Sequence, residues 1–183
     1  MIRKLAVTAL TVCLVALIGC TTRSDPENVE IVGSNPTGGP AIQVDPAQII
    51  DHLKAAGLPL ERVDFYNAEN DPFKLAGRPD RYITKAVFHD TRFNPEGCQK
   101  IEVLPWDECG GTVESFSNAS DLRKWTRAIV IAREQTPNAP PEYRYENGLT
   151  ILRLGHVLTP EQAKAYEDAF KSFSPQAANQ SAG

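Results

Sequence analysis

Apolar and polar residues follow two spacings along the chain after residue 44. Three stretches carry apolar residues at helical spacing and open with capping residues, at Asp45-Pro46, Asn118 and Thr159-Pro160. Other stretches alternate every second residue, which is typical of strands. These are 63–67, 82–89, 112–116 and the two runs that flank Asn147-Gly148. Asn-Gly between strand-like runs is a strong signal of a tight hairpin.

The order of these segments predicts an α+β fold. We expect an antiparallel sheet of about five strands, with three main helices packed on one of its faces. A short helical turn is predicted from Asp71 to Gly77. Gly110 and Gly111 are predicted to lie in a surface loop between strands.

Residues 45–173 are therefore predicted to form a single globular domain. Residues 20–44 contain three Pro and three Gly among many small polar residues, which predicts a flexible tether. Its 24 residues after Cys20 would reach roughly 25–30 Å. Residues 174–183 are predicted to be a disordered tail.

Residues 1–19 have the form of a secretory signal. Arg3 and Lys4 precede fourteen uncharged, mostly apolar residues, Leu5 to Ile18. This run is shorter than the roughly 20 residues that an ordinary membrane-spanning helix needs. It ends in Leu17-Ile18-Gly19-Cys20. An uncut anchor helix, or a plain signal with a chance cysteine, is the alternative interpretation.

The four residues 17–20 resemble the lipobox of bacterial lipoproteins. In that motif an aliphatic residue stands three positions before an invariant cysteine, and a small residue stands just before it. The resemblance implies cleavage between Gly19 and Cys20 and attachment of a diacylglyceryl group, carrying chains such as palmitate, to the Cys20 sulfur. It places the protein on the extracytoplasmic face of the cell membrane, or at the outer membrane if the host has one. Cys13, inside the apolar run, lacks the small residue before it.

Charge and cysteine content refine this picture. The net charge is −4, and without residues 1–19 the chain has 17 basic and 23 acidic residues. This balance argues against binding to nucleic acid. Two cysteines, Cys98 and Cys109, remain in the exported part, where the compartment is oxidising. We predict a disulfide between them; a redox motif or a zinc site would need a different spacing or more ligands.

No catalytic or metal-binding motif stands out among the polar residues, and no cofactor is predicted. His52, His89 and His156 lack metal-ligand spacing. His89-Asp90 is conceivable as part of a catalytic triad, but no serine lies in Gly-x-Ser-x-Gly. Weak calcium binding is conceivable at a predicted turn that carries Asp90, Asn94 and Glu96. The scattered acids are interpreted as solvated surface residues; they are Glu142, Glu146, Glu161 and Glu167.

Two groups of residues are candidate binding surfaces. The middle helix carries a basic side, which is either an ordinary solvated face or a contact for anionic lipid headgroups. Its residues are Arg123, Lys124, Arg127 and Arg133. Tyr143 and Tyr145 of the hairpin either belong to the core or offer an aromatic surface.

The domain also resembles uncharacterised exported bacterial proteins. The shared features are an Asp-Pro-x-x-Leu-x-Gly-Arg-Pro stretch, a Tyr-x-x-Lys strand and a Thr-Pro-Glu-Gln helix start. They correspond here to Asp71–Pro79, to Tyr82 with Lys85, and to Thr159–Gln162. The resemblance implies no known activity.

Taken together, these features predict a lipid-anchored envelope lipoprotein with a non-catalytic binding module for an unknown protein or envelope component. The alternative is an extracytoplasmic hydrolase or metal-dependent enzyme that uses His89 and Asp90. A small-molecule carrier is a third hypothesis, which requires a sizeable apolar cavity.

Overall fold

The computed structural model describes residues 43–94, Cys98, residues 109–136 and residues 141–175. Within these ranges all helices and strands lie between Pro46 and Ser172, inside the predicted domain. In chain order they are α1 (Pro46–Ala55), β1 (Leu60–Tyr66), β2 (Thr84–Asp90), β3 (Gly110–Ser115), α2 (Ala119–Glu134), β4 (Tyr143–Asn147), β5 (Thr150–Leu154) and α3 (Pro160–Ser172).

The five strands form one sheet in the order β1-β2-β3-β5-β4, and every neighbouring pair is antiparallel. The predicted α+β class is therefore confirmed. After β3 the chain passes through α2 to the edge strand β4 and returns to β3 as β5. Consequently β5 joins the two halves of the sheet, and residues from β2, β3 and β5 lie side by side.

Helices α1 and α3 cover one side of the sheet, which we call the first face. Its core contains Phe88 from β2, Val113 from β3 and Leu152 from β5. Ile49 and Leu53 from α1 and Tyr166 and Phe170 from α3 pack against them, all fully buried. Tyr143 and Tyr145 are half-buried and pack against this core, so the hairpin tyrosines contribute to the first face.

Helix α2 packs on the opposite side, the second face, which differs from the expectation of helices on one face. Leu122 and Trp125 of α2 join a separate core with Tyr82, Phe116 and Ile151. The central strands reflect this arrangement because every residue of β3 and β5 is buried. The helical spacing of each helix predicts an apolar side but does not say which face of the sheet receives it.

The helix ends follow the predicted capping. The Asp45 carboxylate accepts from the Ala47 amide at 3.0 Å, and the Asn118 side chain accepts from the Asp121 amide at 2.9 Å. Thr159 and Gln162 form a reciprocal capping box at the start of α3. The predicted Asn-Gly hairpin is present, and Gly148 adopts φ +58°.

Two local predictions were wrong. Residues 71–77 form turns and no helix, because the Asp71 carboxylate accepts hydrogen bonds from amides across the segment. Gly110 and Gly111 begin β3 and are buried, although a surface loop was predicted. A Cβ on Gly110 would lie 1.9 Å from the Phe88 carbonyl oxygen, so glycine permits a close approach of two strands there.

Candidate functional site

A cluster of buried charges lies on the second face beneath α2. We call Lys85, Glu114, Glu142 and Arg153 the charge cluster. Lys85 and Glu114 are direct cross-strand neighbours in the β2–β3 register, with Nζ 3.8 Å from Oε1. Arg153 on β5 lies 3.3 Å from the same Glu114 oxygen and 2.8 Å from Glu142 Oε2. The alternation of side chains along three adjacent strands places these groups on one face.

Cations outnumber carboxylates here, since Glu142 also lies 3.3 Å from Arg144 Nε and 3.8 Å from Arg133 Nη1. Burial lowers the pKa of Lys85, and the attraction of Glu114 opposes this shift. Burial also acts to lower the pKa of Arg153, but Glu114 and Glu142 outweigh it and raise that pKa. Glu114 is fully buried. Its two cationic neighbours compensate for the removal of this carboxylate from water.

Helix α2 is attached to this cluster through Trp125. The indole Nε1 of Trp125 donates to Glu114 Oε2 at 2.5 Å. The Trp125 ring meets Tyr82 edge-on at 5.6 Å between centroids, and the Arg81 guanidinium lies over it at 5.1 Å. Lys85 Nζ in turn lies 5.3 Å from the Tyr82 ring centroid. The cluster therefore joins α2, β2 and β3 as a structural element beneath the helix.

Asp71 organises the loop between β1 and β2. Its carboxylate accepts from the amides of Phe73, Leu75 and Ala76 at 2.8–3.1 Å and from the Tyr82 hydroxyl at 2.9 Å. Burial opposes ionisation, but these hydrogen bonds outweigh it and lower the pKa of Asp71. Asp71 belongs to the Asp-Pro stretch singled out from the sequence, and the structure gives that stretch a structural role.

The structure directs His89 and Asp90 to opposite faces of the sheet. Asp90 lies on the first face, where its carboxylate receives hydrogen bonds from Arg92 and from the Tyr166 hydroxyl of α3. Burial raises the pKa of Asp90, but these partners outweigh it and lower that pKa. His89 Nε2 lies 2.9 Å from the Phe93 carbonyl oxygen. The two side chains do not form the paired arrangement that a triad needs.

The other two histidines lie elsewhere in the domain. His52 Nε2 is 3.0 Å from Ser172 Oγ and 3.1 Å from the Ala169 carbonyl oxygen, so it joins α1 to α3. His156 is exposed in the turn between β5 and α3. Among the described residues there is no group of three His, Cys, Asp or Glu side chains that could hold a metal ion. Asn94 is described, whereas Glu96 of the calcium hypothesis lies outside the described residues.

Cys98 and Cys109 lie at disulfide distance, which confirms the predicted pairing. Their Cα atoms are 5.7 Å apart, and the two sulfurs are bonded. Cys109 immediately precedes β3, and its carbonyl oxygen accepts from the Asp90 amide at 2.8 Å. The disulfide is therefore fixed to the end of the β2–β3 ladder.

The predicted lipidation site, Cys20, lies outside the described residues, as do the signal 1–19, the tether up to residue 42 and the tail after residue 175. In the part of the chain that is described, no helix has the length and apolar character needed to cross a membrane.

The exposed apolar side chains of the described domain occur in two places. Phe65 on the edge strand β1 is 46% exposed. It lines a cleft of about 280 Å³ together with Asp45, Tyr66 and Thr84. Val130 and Ile131 on α2 are 37% and 40% exposed.

Comparisons with protein-family models, curated proteins and solved structures found no match to this chain.

Sequence reasoning missed the charge cluster. The available signal was the opposite charge of Lys85 and Glu114 at inward positions of two strands expected to be neighbours. The contribution of Arg153 was hidden because it depends on β5 pairing with β3 across the α2 connection. No local pattern indicates the hydrogen bond that joins Trp125 to Glu114, because it depends on how α2 packs on the sheet.

Proposed function

We propose that this chain is an envelope lipoprotein, anchored by acyl chains on Cys20, whose domain acts as a non-catalytic interaction module. The observation that carries the proposal is the lipobox Leu17–Cys20, which the structure complements with a bonded cysteine pair in the same chain. Structural disulfides persist in oxidising compartments outside the cytoplasm. Two or more acyl chains hold a protein at a membrane stably, whereas one chain holds it marginally.

The arrangement of the buried acids supports a non-catalytic role. Asp71 is engaged by backbone amides, Asp90 by Arg92 and Tyr166, and Glu114 by Lys85, Arg153 and Trp125. A general acid or base must lie within hydrogen-bond reach of the substrate atom that gains or loses the proton. These carboxylates instead accept hydrogen bonds from groups of the domain itself. His89 and Asp90 point to opposite faces and do not supply the catalytic pair that a hydrolase would need.

The β1 edge is the surface that we expect to meet a partner. Phe65 presents an aromatic ring to solvent beside the cleft, and β1 forms an edge of the sheet. Exposed aromatic side chains at concave surfaces are common anchors in recognition. The partner is a protein or another envelope component.

The anchoring part is tested by metabolic labelling with an alkyne analogue of palmitate. Cys20→Ser should abolish labelling, and the matched control Cys13→Ser should leave it unchanged. Protease added to the outside of spheroplasts should digest the labelled protein. Labelling that survives Cys20→Ser, or protection from the external protease, would overturn the proposal.

The interaction part is tested by a photo-crosslinking residue placed at Phe65 in living cells. A discrete adduct is expected from position 65, and none from Ala165 on the exposed side of α3. Equal adducts from both positions, or none from either, would remove the β1 edge as the recognition surface.

A further inference from the structure

The outward side of α2 combines two arginines with exposed aliphatic side chains. We call Arg123, Arg127, Val130 and Ile131 the α2 face; all four are exposed. Their spacing of three, four and seven to eight residues places them on one side of the helix, away from the buried Leu122 and Ile129.

The two arginines of the α2 face have no acidic partner among the described residues. Lys124, beside them, pairs with Asp80 at 2.8 Å, and Arg133 on the next turns lies near Glu142. Asp121 is held by the Ser117 and Asn118 side chains at the start of the helix. Glu134 is the one acid at the far end of this side of the helix. The N-terminal half of the face is therefore cationic, on a protein whose net charge is −4.

Val130 and Ile131 make this side unlike an ordinary solvated face. Two β-branched aliphatic side chains at consecutive positions are more than a third exposed, one turn beyond Arg127. Basic side chains that meet headgroups and apolar side chains that enter the acyl boundary are the two contacts by which helices bind a membrane surface, and the α2 face presents both.

The tether predicted from the sequence reaches the domain on the first face, where Val44 packs in the core with α1. Val44 is buried, and its carbonyl oxygen accepts from Ser115 Oγ at 2.7 Å. Ser115 ends β3, and α2 begins four residues later at Ala119. The tether thus arrives at the end of the sheet from which the chain leads into α2, but on the opposite face, and its predicted reach of roughly 25–30 Å allows the α2 face to turn toward the membrane.

From these observations we propose that the α2 face docks the tethered domain onto the anionic phospholipid surface of its own membrane. This inference rests on the proposed lipid anchor, which keeps the face close to the membrane at a high effective concentration. The arginines supply charge complementarity to anionic headgroups, and Val130 and Ile131 supply the shallow apolar contact. The domain then presents its opposite side, with α1 and α3, away from the membrane.

The experiment uses the mature lipidated protein, extracted from membranes and reconstituted into vesicles. A fluorophore on Ser120→Cys reports from the side of α2 that carries the arginines, and one on Ala165→Cys reports from α3. Energy transfer to a headgroup dye is measured in phosphatidylcholine vesicles, with and without about 30 mol% phosphatidylglycerol.

We expect phosphatidylglycerol to increase energy transfer from position 120 and not from position 165. Arg123→Gln with Arg127→Gln should lower the ratio of docked to free domain by about 30-fold, at about tenfold for each 1.4 kcal/mol. About 0.5 M salt should also abolish the increase. The matched control, Lys164→Gln with Lys171→Gln on α3, removes the same charge and should leave the increase intact. Val130→Ser with Ile131→Ser should weaken docking at low salt.

The outcomes separate this inference from the anchor. Flotation with pure phosphatidylcholine vesicles measures membrane binding through the acyl chains alone, because neutral lipid has no net charge to attract the arginines. Protein that floats but gives equal energy transfer from both reporters keeps the anchor and overturns the docking face. Flotation only with phosphatidylglycerol, lost in the arginine variant, keeps the face and overturns the anchor. If the α3 control variant also loses docking, the effect is one of general charge, and the α2 face is not the docking surface.

Discussion

At the scale of single residues, a few buried polar groups hold segments whose sequences form no regular element. Asp71 is the clearest case, since one carboxylate satisfies three backbone amides and a tyrosine hydroxyl. Leaving buried amides without an acceptor costs about 1–3 kcal/mol. We expect Asp71→Asn to lower the free energy of unfolding by that amount, measured by urea denaturation at neutral pH.

The same residue predicts a pH dependence. Because hydrogen bonds lower the pKa of Asp71 in the folded state, its stabilisation is complete above the ordinary Asp pKa of about 3.9 and is lost as pH falls through the folded-state pKa. Asp71→Asn should therefore flatten the acid side of the stability profile. Asp51→Asn, at an exposed position of α1, is the control. An acid profile that is identical in wild type and Asp71→Asn would contradict this account.

The charge cluster makes a second prediction at this scale. Glu114→Gln removes the carboxylate shared by Lys85 and Arg153, so we expect a loss of about 3–5 kcal/mol in unfolding free energy. Lys85→Met should cost less, because Glu114 keeps Arg153 and Trp125 as partners. Chemical denaturation of the two variants side by side measures the difference. A larger loss in Lys85→Met than in Glu114→Gln would show that the cluster is organised around the lysine.

At the scale of elements, local signals placed the starts of the helices and the hairpin but not the packing of the helices. Asp45, Asn118 and Thr159 cap as their residue types predict, since capping depends on neighbours three residues away. The side of the sheet that α2 covers depends on the crossover from β3 to β4, which is a long-range property. The sequence of the Asp71 turns resembles a helix start because Asp-Pro opens both kinds of segment.

Close strand approach at β3 gives an element-scale prediction. Gly110→Ala would push a methyl group into the Phe88 carbonyl, so β3 must move away from β2. We expect a loss of about 3 kcal/mol or more in unfolding free energy. Gly148→Ala meets open space and costs only its left-handed backbone, about 1 kcal/mol. Thermal unfolding of both variants compares them, and equal losses would mean that β3 can shift freely.

At the scale of the whole molecule, the disulfide joins Cys98 to Cys109, the residue that immediately precedes β3. It closes a loop of about 12 residues, for which the chain-entropy treatment gives roughly 3 kcal/mol. Reduction should lower the unfolding free energy of the wild type by about this amount. The variant with both Cys98→Ser and Cys109→Ser should already have the lower stability and should not respond to reductant. A reductant effect of the same size in that variant would exclude the disulfide as its cause.

The fold class could be predicted from sequence because alternation and capping are encoded locally, and the cysteine pair because only two cysteines follow residue 20. The charge cluster could not, since Arg153 reaches Glu114 only through the order β3-β5-β4. Likewise His89 and Asp90 look like neighbours in the sequence, yet adjacent residues of a strand point to opposite faces. Adjacency of two residues in a strand therefore does not indicate that their side chains act together in one catalytic site.

The central claim is that acyl chains on Cys20 hold this domain at the outside of a membrane. Intact-mass spectrometry of the protein extracted from membranes tests it most directly. The proposal predicts the mass of residues 20–183 with one disulfide, increased by a diacylglyceryl group and usually one further acyl chain. An unmodified mass, or a chain that starts at another residue, would contradict it.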